Sequence, residues 1–157
     1  MAFEGPEKKR KLLISMGVLA AIVAGAGLGT MAITGYFRGQ DPIYQCIDNP
    51  EDQPFQLSIP IAVFEDGFPA LVPRGVGVED NCIRPVHTFE ENVIHVAYSR
   101  PHEFTLGHFL YYWIGNDLQN YDTQVYVNES LHTDGSFLDI PLRQGDSIRI
   151  EFTSRNQ

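Results

Sequence analysis

Thr105-Leu106-Gly107-His108-Phe109-Leu110-Tyr111-Tyr112-Trp113-Ile114-Gly115-Asn116 is the stretch that decides the fold class. Leu106, Phe109, Leu110, Trp113 and Ile114 fall at i, i+3, i+4, i+7 and i+8, which lines one face of a helix. Thr105 can cap its start, and Gly115-Asn116 stops it. On either side the patterns are those of strands. Residues 57–64 form an apolar, β-branched run that leads into the turn Glu65-Asp66-Gly67 and then Ala70-Leu71-Val72-Pro73, so the spacing predicts a hairpin. Residues 93–98 alternate and stop at Arg100-Pro101; residues 124–128 and 147–152 follow the helix, the latter after the turn-like Arg143-Gln144-Gly145-Asp146. The order is β-β-β-α-β-β. Strands flanking one helix, with no room for repeated βαβ crossovers, define an α+β domain in which the helix packs on a mixed sheet. A β-grasp-like arrangement is expected.

This domain occupies residues 57–157 of a chain whose other end is built differently. From Leu12 to Ile33 there are 22 residues without a charge. As a helix they reach about 33 Å, enough for a hydrocarbon core of about 30 Å. Lys8-Lys9-Arg10-Lys11 precede the run and a lone Arg38 follows it, so the positive-inside rule puts residues 1–11 in the cytoplasm as a basic tail. Residues 12–33 are then a transmembrane helix in the cell membrane, residues 34–56 an irregular Pro/Asp/Asn/Gln-rich stalk, and the domain is extracytoplasmic. A cleaved secretory signal shares the basic-then-apolar pattern, but the run is long for one and no convincing A-x-A site follows it. Gly17, Ala21, Gly25 and Gly29 recur every four residues and form a ridge of small side chains, along which the helix could pack on itself or on a membrane-embedded subunit.

The domain is strongly acidic. From Asp41 onward there are 18 Asp/Glu against 6 Arg and no Lys, a net charge of −12. Such a surface repels nucleic acid. Cys46 and Cys82 are the only cysteines, and an even pair outside the cytoplasm suits a disulfide joining the stalk to the domain; a pair of metal ligands is the competing reading.

Catalysis has no motif here: there is no phosphate-binding glycine loop, nucleophile elbow or C-x-x-C. The cluster with chemical content is Pro85-Val86-His87-Thr88-Phe89-Glu90-Glu91-Asn92-Val93-Ile94-His95. A turn at residues 90–92 would bring His87 and His95 together across two strands, with Glu90 or Glu91 as a third ligand for copper or zinc. His102 and His108 are further candidates. The plainer reading has His87 hydrogen-bonding the turn and His95 as a partly buried strand residue, with no cofactor. On the helix His108, Tyr111 and Tyr112 lie off the apolar face, where aromatic residues suit a protein interface as well as ordinary surface. Asn128-Glu129-Ser130 is a glycosylation acceptor triplet.

Gly77-Val78, Cys82-Ile83-Arg84-Pro85-Val86-His87-Thr88, Ile94-His95-Val96, Phe104-Thr105-Leu106-Gly107-His108-Phe109 and Trp113 together carry a resemblance. Over residues 60–152 the chain resembles a group of small uncharacterised single-pass membrane-anchored extracytoplasmic proteins of ammonia-oxidising archaea and some bacteria. Members of that group have a His-rich stretch on the first strand and a second His two positions after the equivalent of His87. This sequence has Phe55-Gln56-Leu57-Ser58 and Phe89 there. The resemblance with these departures implies a chain that kept anchor, fold and disulfide while losing ligands. That profile fits a non-catalytic accessory subunit of a larger membrane protein complex, respiratory or ammonia-oxidising. An anchored copper- or zinc-binding protein is the alternative.

Overall fold

The computed structural model describes residues 41–155. The basic tail, the 12–33 run with its ridge of Gly17, Ala21, Gly25 and Gly29, and the start of the stalk lie outside the described residues. Among the described residues no helix is long and apolar enough to cross a membrane.

The organising element is β1 (Phe55–Glu65), eleven residues in which Ile59, Ile61 and Val63 are buried while Gln56, Ser58, Pro60 and Ala62 face outward. That alternation is the period-2 pattern of a strand with one covered face. Two partners share one edge of β1. Its first half pairs antiparallel with β6 (Val93–Tyr98) and its end with β2 (Phe68–Ala70). Along the other edge Ile61 to Glu65 pair in parallel with β9 (Ile148–Ser154). Pro60 stands one residue before that pairing begins. The Ser58 N–H points to this second edge, where Gln144 accepts it at 3.0 Å, and by alternation the N–H that Pro60 lacks would face the same way.

Beyond β9 the sheet continues with β7 (Tyr121–Val127) and β8 (Ser130–Leu131), both antiparallel to their neighbours. On the far side of β6 lies β5 (Val86–His87), and β3 (Val78–Glu79) and β4 (Cys82–Ile83) form a separate small ribbon. The domain is therefore α+β, with a mixed sheet and a helix at Leu106–Trp113. In that helix Leu106, Phe109 and Leu110 are buried in the same core as Ile59, Val96 and Ile150. Trp113 extends the contact to Phe152, with ring centroids 6.2 Å apart. The Thr105 N–H donates to Nδ1 of His108 at 3.0 Å, the return half of a capping box. Gly107 lets the helix approach the turn at Phe137–Asp139, since a Cβ there would stand 2.6 Å from the Leu138 carbonyl oxygen.

Packing against the domain begins earlier than residue 57. From Pro42 onward the chain belongs to the same compact unit, and Ile43 and Ile47 are buried. The segment expected to be stalk is fastened by the Cys46–Cys82 disulfide, by the Ile47 N–H on the Ile83 carbonyl at 2.8 Å and by Arg84, whose Nη1 donates to the Tyr44 carbonyl at 2.5 Å. It is a strap, closed onto the β4 region by a covalent bond.

Candidate functional site

On the face of the sheet away from the helix, three polar residues form one row across three strands. Ser58 of β1 stands opposite His95 of β6, and His95 stands opposite His87 of β5. Residues opposite one another in antiparallel strands share a face, so register alone assembles the row. The imidazoles lie 5.9 Å apart between centroids, inclined by 21°. Phe89, two residues beyond His87, brings its ring to 4.5 Å from that of His87 and 6.0 Å from that of His95.

The turn that returns the chain from β5 to β6 is tightly held. Asn92 adopts φ +61°, its side-chain oxygen accepts the Val72 N–H at 2.9 Å, and its carbonyl accepts the Ile61 N–H at 2.9 Å. Thr88, fully buried, donates its hydroxyl to the Pro73 carbonyl at 2.8 Å and accepts the Val76 N–H at 3.0 Å. Gly77 then passes so close to β5 that a Cβ would meet the Val86 carbonyl oxygen at 2.4 Å. Its φ of +70° is one that a side chain would strain as well.

Each histidine uses Nδ1. In His87 it lies 2.8 Å from the Arg84 carbonyl oxygen, and in His95 3.2 Å from the Ser58 hydroxyl. Nε2 of His95 is buried with no hydrogen-bond partner. Burial drives the His87 pKa down from 6.5 to about 4; the Arg84 carbonyl opposes that shift and the charge of His95 adds to it. The row opens onto a cleft of about 450 Å³, lined also by Pro50 and Glu51 of the strap and by Phe89 and Glu90.

The structure thus brings His87 and His95 together, with Glu90 at the rim of their cleft. Glu91 faces Arg74 instead, 3.9 Å away and exposed. Among the described residues no three His, Cys, Asp or Glu side chains are grouped to hold a metal ion. His102 lies apart, its ring 4.7 Å from Phe104. Sequence reasoning reached Ser58 as a strand residue, within the stretch where the resembled group carries histidines; its place in the row depends on the β1–β6 register.

The interface candidates divide. Tyr111 is 55% exposed and meets Tyr44 of the strap edge-on, with centroids 6.1 Å apart. Tyr112 is engaged, its hydroxyl on the Ile43 carbonyl and its pKa raised by burial to about 12, so it remains a donor at any physiological pH. His108 serves the helix cap. Asn128, at φ +50°, donates its amide to Asp146 at 2.7 Å and accepts the Ser147 N–H at 2.9 Å, so the acceptor triplet's side chain ties the β7–β8 turn to the start of β9.

No family model matches the chain, and no curated protein sequence or solved structure is significantly similar to it.

Proposed function

We propose that this chain is a non-catalytic accessory subunit of a membrane protein complex. Residues 12–33 hold it in the cell membrane, the N-terminus is cytoplasmic and the domain is outside. The uncharged run after Lys8–Lys11 supports the anchor and its orientation. The disulfide supports an oxidising compartment for the domain. The strand run β2-β1-β9-β7-β8 with the helix Leu106–Trp113 is read as a β-grasp-like core, enlarged by β3 to β6.

The observation that carries the reading is Tyr111. It is a large aromatic left exposed on the helix, beside Tyr44, on the strap through which the chain enters the domain. Aromatic side chains in that state are favoured at protein interfaces. The glycine ridge supplies a second contact within the bilayer. On the resemblance alone, the complex is respiratory or ammonia-oxidising.

The test is co-purification of the full chain from its native membranes in mild detergent. The parent is expected to bring down membrane subunits at a fixed ratio, Tyr111→Arg to lose them, and Gly25→Leu and Gly29→Leu to weaken them while still inserting. A parent chain that elutes alone, or variants that keep every partner at the parental ratio, would overturn the proposal.

A further inference from the structure

The row on the outer face of the sheet has a property that a surface protein interaction does not require. Both imidazoles are fixed through Nδ1. A carbonyl oxygen can only accept, so the short contact to Arg84 places the proton of His87 on Nδ1 and leaves its Nε2 with a free lone pair. Metal-ligating histidines are oriented in this manner, with the second ring nitrogen donating to a carboxylate, a backbone carbonyl or water. The Ser58 hydroxyl, which can accept as well as donate, can take the Nδ1 proton of His95 in the same way, and Nε2 of His95 is buried without a partner. A buried polar nitrogen left unsatisfied in a native fold calls for an explanation.

We propose that His87 and His95 form a two-imidazole site for one borderline divalent cation, copper(II) or zinc(II), with water in its remaining positions. Imidazole pairs select these ions over calcium and magnesium, which take oxygen ligands. The spacing is suitable. Two imidazoles each about 2.0–2.1 Å from a shared ion have centroids roughly 5–6 Å apart, and here the separation is 5.9 Å. Glu51 and Glu90 on the cleft, within a domain of net charge −12, favour a cation in that space.

This site differs from the set the sequence suggested. Glu91 is absent from it, Glu90 stands at the rim, and Ser58 enters as the residue that positions His95. It also stands independently of any partner complex. The Arg84 carbonyl that orients His87 belongs to a residue locked by Glu79, at 3.0 and 3.1 Å, and by the strap, so one ligand is positioned by the disulfide-closed part of the fold.

The experiment uses the full-length chain in mild detergent, purified without a histidine tag, stripped with chelator and desalted at neutral pH. Copper(II) is added and retained metal is counted by mass spectrometry, while electron paramagnetic resonance reports the nitrogens bound. One copper per chain, with hyperfine structure from two imidazole nitrogens and displacement by excess zinc(II), is the expected result. Ser58→Ala should weaken retention about tenfold, in the range of lost orienting partners, and His95→Ala should abolish it, whereas His132→Ala should leave it unchanged. The spectrum of the parent decides the matter even if His95→Ala fails to fold. No retained copper, a spectrum with fewer than two imidazoles, or a folded His95→Ala that binds as well as the parent would overturn the proposal.

Discussion

The hydroxyl of Tyr112 donates to the carbonyl oxygen of Ile43 at 2.5 Å, so the helix holds the backbone of the strap. Tyr112→Phe removes that donor from the Ile43 carbonyl at little change in shape. A loss of about 1 kcal/mol is expected, read as a lower urea midpoint with unchanged slope. Tyr111→Phe should unfold like the parent, because Tyr111 is mostly exposed. Equal midpoints for Tyr112→Phe and the parent would show that this bond holds nothing.

Cys46 and Cys82 close a loop with a sequence separation of 36. By the chain-entropy relation, reduction should cost about 3–4 kcal/mol, a large share of a small domain's stability. Digestion without reductant should yield one linked peptide pair that separates on reduction. Two free thiols in protein isolated without reductant would contradict the pairing.

Gly77 has no room for a methyl group, and its φ of +70° disfavours one as well. Gly77→Ala must push β5 away, and with it His87. A destabilisation of about 2 kcal/mol or more is expected, measured by thermal unfolding. Gly135→Ala, where the backbone is left-handed but nothing lies within 4 Å, should cost less. If the two variants melt together, the close approach at Val86 is not what matters.

His87 makes the metal-free domain sensitive to acid in a defined direction. Its pKa is about 4 when folded against 6.5 ordinarily, so below pH 6.5 the unfolded chain takes up a proton that the folded chain refuses. Stability should therefore be unaffected by this group above about pH 6.5. It should fall as the pH drops towards 4 and then level, by on the order of 3 kcal/mol in all. His87→Gln should remove that slope. A parent whose unfolding free energy is flat from pH 6.5 to 4.5 would speak against a buried, neutral His87.

The proposed membrane orientation can be tested chemically, because both native cysteines are bonded. A cysteine introduced near Gln157 should react with an impermeant thiol reagent in whole cells, and one near Glu4 should not. Reversed labelling would overturn the proposed topology.

Much of the fold was legible because several elements are long enough to show a period. β1, β6 and the helix declare themselves through Ile59, Ile61, Val63, Ile94, Val96, Leu106, Phe109 and Leu110, all buried. Two-residue pairings such as β3 with β4 carry no period to read. Of the strap only the Cys46–Cys82 bond was legible; its packing was not, for a different reason. Its anchors, Ile43 and Ile47, are isolated apolar residues in a polar, Pro-rich segment, and what fastens them lies some 40 to 70 residues away at Arg84 and Tyr112. The site was half legible. A turn at 90–92 predicts that His87 meets His95, but the contribution of Ser58 depends on pairing between β1 and β6, which no local pattern fixes.

The parallel pairing of β1 with β9 has a kinetic consequence. The strand made late in the chain takes a middle place in the sheet, between β1 and β7. Until β9 emerges, β1 has no neighbour along one edge and β7 lacks the strand to which it is joined over its whole length. Pairings this distant in sequence form slowly, and unpaired edges are exposed meanwhile. A chain halted before Ile148 would hold two half-sheets that cannot join, and degradation during synthesis should concentrate on such chains. If the domain is exported as proposed, its sheet is completed only after most of the chain has crossed the membrane.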